Sequence, residues 1–201
     1  MKLTVVGSRY FGAATLERLL AEGFEVARVV VPAEDDRLAK TAQAAGLEVV
    51  VLENPMHVPA EAIPEATDLI VAAHSHARVS KEALARSRLG GIGYHPSLLP
   101  RHRGIAAVEW TIREGDPIAG GSIYHLADRM DAGPIAAQDW CFVRKGDRAR
   151  AVGARARAPR ARSDGEGAAP RARQWRIASQ AAGRAIRHQG ADDPRLNGCS
   201  R

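Results

Sequence analysis

The strongest constraint on the fold is a series of short apolar runs that do not alternate with polar residues. Residues 3–6 (Leu-Thr-Val-Val) are rich in β-branched side chains and stop at Gly7. Such a run suits a parallel strand covered on both faces, because a half-buried strand would show period-2 polarity. Ala13, Leu16, Leu19 and Leu20 then recur at helical spacing, with Gly23 where a helix would be capped. Residues 26–31 read as a second strand, 37–45 as a helix closed by Gly46, and 49–52 as a third strand. Pro55, Pro59 and Pro64 break the next stretch, and residues 68–73 (Asp-Leu-Ile-Val-Ala-Ala) form a fourth buried run. A helix over 81–86, a strand over 91–95 and a helix over 106–113 follow. Gly120 and Gly121 open a strand over 122–126, and Pro134 introduces another over 135–143. The alternation defines an α/β class, a Rossmann-like, doubly wound and mainly parallel sheet. Ligands of such sheets bind beyond the carboxyl ends of the strands, which directs attention to His74, His95 and the loop over 127–133.

At 201 residues the chain has room for one domain with a substantial core. Its charge divides sharply at Asp147. Residues 1–147 carry 16 basic and 19 acidic side chains, a formal −3, whereas residues 148–201 carry 13 Arg and four acids, a formal +9. The basic character therefore belongs to the tail and says nothing about the core. The tail also holds 14 Ala and six Gly but only four Val, Ile or Leu in 54 positions. So few large aliphatics cannot offset a backbone entropy of about 1–2 kcal/mol per residue. The expectation is one folded domain over 1–147 and a disordered Arg/Ala-rich tail over 148–201. Cys141 and Cys199 form no CxxC or Cys/His cluster, so neither a disulfide framework nor a zinc site is expected. Met1 and Lys2 lead straight into the first strand, and no apolar run approaches the roughly 18 residues needed to span a bilayer. The expected protein is soluble and cytoplasmic, with no membrane partner.

Two blocks carry chemistry. The first is Gly93-Tyr94-His95-Pro96-Ser97-Leu98-Leu99-Pro100-Arg101-His102-Arg103-Gly104, and the second is Asp131-Ala132-Gly133-Pro134-Ile135. Together they resemble the 10-formyltetrahydrofolate-dependent formyltransferases, whose shared pattern is Asn-x-His-(Pro/Gly)-Ser-Leu-Leu-Pro with a later Asp-x-Gly. That family includes methionyl-tRNA, glycinamide ribonucleotide and sugar-nucleotide N-formyltransferases, and the resemblance covers residues 1–147. It implies 10-formyltetrahydrofolate as formyl-donor co-substrate and an amine as acceptor. In such a reaction the amine attacks the formyl carbon, the carbonyl oxygen becomes an oxyanion, and the attacking nitrogen must lose a proton. Those demands call for hydrogen-bond donors and a proton relay. By resemblance, His95 is the donor and Asp131 its carboxylate partner. In isolation, His95 would read as a strand-end histidine bonded to backbone and Asp131 as a turn residue before Gly133, but the flanking block favours the catalytic reading.

One position departs from the pattern. Where the family has Asn two residues before the histidine, this chain has Gly93. Glycine offers no side-chain donor, and loss of one oxyanion donor costs other enzymes about 2.7–4 kcal/mol. Either a water or another side chain compensates, with His74, His76 and Tyr94 nearest in sequence, or the chain is a catalytically impaired folate-binding relative.

The resemblance also assigns binding residues. Ser97, Leu98, Leu99 and Pro100 match its folate-contacting segment, residues 72–78 including Ala73 and His74 match its pterin-side loop, and Asp128 and Met130 belong to the facing loop. Leu98 and Leu99 equally suit ordinary core. Arg101 and Arg103 are placed either to contact an anionic substrate or to form a solvated basic turn. His74-Ser75-His76 invites a metal reading, but histidines at i and i+2 point to opposite sides of an extended segment and no third ligand lies at a recognisable spacing. No metal site is expected. The loop Gly7-Ser8-Arg9-Tyr10-Phe11-Gly12 lacks both GxGxxG and GxxxxGK(S/T), and also the Gly-rich Ser-Asn phosphate loop of glycinamide ribonucleotide formyltransferases. It looks closer to the methionyl-tRNA and sugar-nucleotide branches, with Ser8 and Tyr10 toward the acceptor.

Methionyl-tRNA formyltransferases continue into a C-terminal barrel that helps hold the tRNA, and nothing after Asp147 resembles it. The tail reads in two ways. Its arginines suit RNA phosphates. It also suits translation out of frame, because bases encoding Arg-Ala-Val-Gly at 150–153 can read Glu-Leu-Trp when shifted.

Overall fold

The computed structural model describes residues 1–156. In chain order β1 (Lys2–Gly7), α1 (Arg9–Ala21), β2 (Glu25–Val31), α2 (Arg37–Ala44) and β3 (Val49–Val51) follow the expected alternation. They are succeeded by β4 (His57–Val58), a 3-10 turn at Ala60–Ala62, β5 (Leu69–Ala73), β6 (Arg78–Val79) and α3 (Lys81–Ala85). The last described elements are β7 (Gly91–His95), α4 (Ala107–Arg113), β8 (Ile118–His125), β9 (Ile135–Phe142) and α5 (Ala149–Ala156). Seven strands form one sheet in the order β3-β2-β1-β5-β7-β8-β9. The first five are parallel, and β8 and β9 are antiparallel additions.

The unbroken apolar runs follow from burial on both faces. Leu3, Val5, Val29, Val31 and Leu69 pack on Leu16, Leu19, Leu38 and Ala42 of the two helices. Their neighbours Val6, Val30 and Ile70 turn the other way, onto Val58, Ile63, Val79 and Ala83. Each fully buried aliphatic contributes about 1.5–3 kcal/mol, so neither face tolerates a polar period.

Chain order reverses beside β1, which pairs with β2 on one side and β5 on the other. The crevice beyond this reversal is where open α/β sheets bind ligands. Its floor is tight: a Cβ on Gly7 would stand 2.1 Å from the Ala73 carbonyl oxygen. Ser8 closes the crevice end by donating its Oγ to the His74 carbonyl at 2.8 Å.

Three features differ from the sequence expectation. Gly120 and Gly121 lie within β8 and do not open it, because Leu98 and Tyr94 occupy the space their side chains would need, with a Cβ in each case meeting an atom at 2.5 Å. The proline-broken stretch contains β4, which pairs with β6 in a separate two-stranded sheet. Beyond the expected boundary at Asp147, α5 packs against α4, β8 and β9 and buries Val152 completely. The disorder, RNA-binding and out-of-frame readings of the remaining tail fall outside the described residues, as does Cys199. Among the described residues, no helix is long and apolar enough to cross a membrane.

Candidate active site

Strand β7 ends at His95 and pairs antiparallel with β8, setting Gly93 opposite Tyr124 and His95 opposite Ser122. Opposed residues of an antiparallel pair share a face, as do residues two apart. Gly93, His95, Ser122 and Tyr124 therefore make one patch. Tyr94 projects from the opposite face, its ring 5.0 Å from that of Phe11. That orientation removes it as a substitute for the donor missing at Gly93.

The loop after β8 carries Asp131 back to this patch. Asp131 has φ 53°, a left-handed conformation that aspartate adopts more readily than most residues. Gly133 is required two residues later, since a Cβ there would lie 1.8 Å from the His125 carbonyl oxygen. Asp131 Oδ2 consequently stands 3.3 Å from His95 Nδ1, with both side chains more than nine-tenths buried. The same oxygen accepts the Gly104 N–H at 2.9 Å. His95 Nε2 lies 2.8 Å from the His102 carbonyl oxygen. A carbonyl only accepts, so Nε2 carries hydrogen and Nδ1 faces the carboxylate.

A cleft of about 400 Å³, open to solvent, runs beside Asp131 and is lined by Ala72, Ser75, Arg78, Tyr124, Leu126 and Met130 among others. Tyr124 covers Gly93: a Cβ at that glycine would meet two ring atoms at 3.1 Å and Leu126 Cδ2 at 3.0 Å. Burial, reinforced by the charge of Asp131 and a hydrogen bond to it, pushes the Tyr124 phenol well above its ordinary value. Its hydroxyl keeps its proton throughout the physiological range. A second cleft of about 270 Å³ is bounded by Gly7, Ser8, Pro32, Leu52 and His76, and Ser75 and Ala77 line both.

Of the expected folate contacts, Met130 lines the first cleft, while Ala73 and His74 sit between its lining residues Ala72 and Ser75. Asp128 pairs with Arg78 on the cleft wall. Ser97, Leu98, Leu99 and Pro100 do not line it. Ser97 Oγ donates to the Arg101 carbonyl at 2.6 Å, and Ser122 Oγ donates to the Ser97 carbonyl at 2.6 Å. The Leu99 N–H donates to Ser122 Oγ at 3.0 Å, and Gln138 Nε2 reaches the Leu99 carbonyl at 2.9 Å and Ser122 Oγ at 2.8 Å. This segment fastens the end of β7 to β8 and β9. Sequence reasoning missed Ser122, Tyr124 and Gln138, and the signal for them is strand register, which no local motif carries.

Arg101 is already spoken for. Its Nε and Nη2 donate to Asp116 at 2.8 and 2.5 Å, and Nη2 also reaches Glu114 at 2.7 Å. The guanidinium, helped by His102, holds the Asp116 carboxyl down at about 2. His102, Glu114 and Asp116 converge closely enough to resemble a metal set, but Arg101 supplies the cation between the two acids. Arg103 is exposed and has no ion-pair partner among the described residues. Ser8 is buried and given to the His74 carbonyl, whereas Tyr10 is exposed beneath the Arg37 guanidinium, 5.0 Å from its ring centre. His74 and His76 do not point apart as an extended segment requires. A φ of 56° at His74 breaks the alternation and brings the rings into edge contact at 5.3 Å.

A buried histidine–aspartate pair whose aspartate lines an α/β crevice defines the class of site. The sequence model of the formyl transferase family matches residues 1–162, and the chain belongs to that family. It is 34% identical over 155 residues to the cytosolic 10-formyltetrahydrofolate dehydrogenase of Xenopus tropicalis, covering 71% of this chain and 17% of that one. It is 32% identical over 154 residues to a methionyl-tRNA formyltransferase of Acidobacterium capsulatum, covering 69% and 49% respectively. The chain thus spans half or less of the length of these relatives. The phosphoribosylglycinamide formyltransferase of Bacillus halodurans superposes with a TM-score of 0.71 at 19% identity, covering 96% of this chain and 98% of that one. Glycinamide ribonucleotide transformylase 1 of Symbiobacterium toebii gives 0.71 at 21% identity, covering 94% and 88%. Likeness at these identities establishes the fold.

Proposed function

We propose that this chain binds 10-formyltetrahydrofolate and transfers its formyl group to an amine, with His95 and Asp131 at the reacting centre. The observation that carries this reading is the buried 3.3 Å contact between those two side chains beside an open cleft. The amine lone pair forms the new C–N bond while the carbonyl π electrons move to oxygen. The proton lost by the amine passes to the Asp131–His95 pair and on to the folate nitrogen, whose bond to the formyl carbon breaks as the oxyanion collapses. For His95 Nε2–H to reach that oxyanion it must leave the His102 carbonyl. The loop that must yield holds two non-glycine residues, His102 and Ala106, at positive φ on either side of Gly104, a strained backbone of the kind found at functional sites.

As acceptor we assign methionyl-tRNA. The similarity to a methionyl-tRNA formyltransferase and the exposed Arg103 beside the site support it. The start of α1 counts against a small phosphorylated amine there. Asp36 accepts the Arg9 N–H at 2.9 and 3.1 Å and the Leu38 N–H at 2.8 Å, placing negative charge where a helix terminus would otherwise attract phosphate. A reducing, cytoplasmic setting fits a reduced folate. The test is to incubate the full chain with 10-formyltetrahydrofolate and, separately, methionyl-tRNA, glycinamide ribonucleotide or an amino-sugar nucleotide, following tetrahydrofolate release and the formylated product. Formyl-methionyl-tRNA alone is expected. Formylation of another amine instead overturns the acceptor, and a chain that neither binds a reduced-folate analogue nor releases tetrahydrofolate overturns the whole reading.

A further inference from the structure

We propose that the Tyr124 hydroxyl is the second oxyanion donor of this site, working from β8 in place of a side chain at Gly93. The inference rests on the formyl-transfer reading above. It begins with geometry. Gly93 and Tyr124 are paired across the β7–β8 ladder and share the face that carries His95. The tyrosine ring fills the volume a side chain at position 93 would need, with ring atoms 3.1 Å from the Cβ position. A polar side chain at Gly93 would therefore crowd the Tyr124 ring and Leu126, which would have to give by a few tenths of an ångström, and this chain has the aromatic ring with a glycine beneath it.

The other polar groups on the cleft wall are less suited. Ser75 Oγ is held against the backbone of Ala77, donating to its carbonyl and accepting its N–H, both at 3.2 Å. Arg78 is paired with Asp128, and Arg129 is solvent-exposed. The His95 Nε2–H is bonded to the His102 carbonyl in this state. Tyr124 is 7% exposed and lines the cleft together with Asp131, to which its hydroxyl is hydrogen-bonded in this state; like the His95 Nε2–H, it must turn from that partner to reach the oxyanion. A donor buried at the cleft wall, away from bulk water, is worth most to a charge that develops there. The hydroxyl gives a hydrogen bond to the oxyanion and keeps its proton; the transferred proton is the one leaving the amine.

The decisive comparison uses the full chain, 10-formyltetrahydrofolate and the acceptor that the preceding test identifies. Tyr124→Phe retains the ring over Gly93 and removes only the hydroxyl. It is expected to lower kcat by about 10²–10³-fold, the loss seen on removing one oxyanion donor, with KM for the folate little changed. The loss should be uniform across the pH profile. Tyr124→Leu vacates the space, and adding Gly93→Asn to it should recover a large part of kcat relative to Tyr124→Leu alone. A Tyr124→Phe variant as active as wild type overturns the inference while leaving formyl transfer intact. So does a variant whose only change is a shifted limb of the pH profile, because that marks a hydroxyl acting through Asp131. A wild-type chain that binds the folate analogue without transferring formyl overturns this inference and the functional reading together.

Discussion

Asp131 serves two partners with one oxygen, the His95 ring at 3.3 Å and the Gly104 N–H at 2.9 Å. In the proposed reaction it is therefore both a charge at the reacting centre and a tether for the loop beyond His102. Asp131→Asn separates these roles, since the amide oxygen can still accept from Gly104 while the charge and the basic site are lost. Formyl transfer should fall by about 10²–10⁴-fold, the range for removal of a positioned acid–base group, while the thermal midpoint moves little. Steady-state rates and a melting curve on the same preparation check both halves. A large loss of midpoint would make the tether the dominant role. The two residues of this pair were legible in the sequence because each sits in a contiguous block, His95 before Pro-Ser-Leu-Leu-Pro and Asp131 before Ala-Gly. Tyr124 was not, because its partner Gly93 is remote in sequence and only the β8 register brings them together.

At the level of elements, the chain end after β7 is held from two directions, and each tie is separately testable. Ser122 on β8 is fully buried and bonds the Ser97 carbonyl and the Leu99 N–H. Ser122→Ala leaves that N–H and Gln138 short of a partner, an expected loss of about 1–3 kcal/mol for an unsatisfied buried group, measurable by denaturant unfolding. A neutral result would mean that the segment re-pairs with water. The second tie is Arg101 to Asp116, which joins the loop to the end of α4. The Asp116 carboxyl is held at about 2 in the folded chain against 3.8 ordinarily. Its stabilisation is therefore fully present above the ordinary value and is lost as pH falls through the folded one. Thermal midpoints should drop between roughly pH 4 and 2 more steeply for wild type than for Asp116→Asn, and parallel curves would refute the tie. Alternating strands and helices were readable from apolar runs, whereas β4 and β6 were not: two residues each carry no periodicity, and the surrounding prolines signal only a break.

On the scale of the whole molecule, the question is where the packed unit ends. Composition placed the edge at Asp147 because the following segment is rich in Ala and Arg and poor in large aliphatics. Composition averages over a window, whereas one well-placed side chain can dock a helix. Val152 is such a side chain, fully buried in an α5 that packs against α4, β8 and β9. The sheet edge β9 leaves Ile135, Trp140 and Phe142 exposed even with α5 packed against it. Val152→Asp should destabilise the catalytic unit itself. Losing the burial of one valine alone removes about 1.5–3 kcal/mol, and an unpaired carboxylate adds to that. For a chain of this size the midpoint should fall by about 3 °C or more, at roughly 2–4 °C per kcal/mol. Ala151, exposed on the same helix, supplies the control: Ala151→Asp should leave the midpoint nearly unchanged. Equal, small effects of the two substitutions would show that α5 rests on the domain without contributing to it, and the cooperative unit would then end with β9.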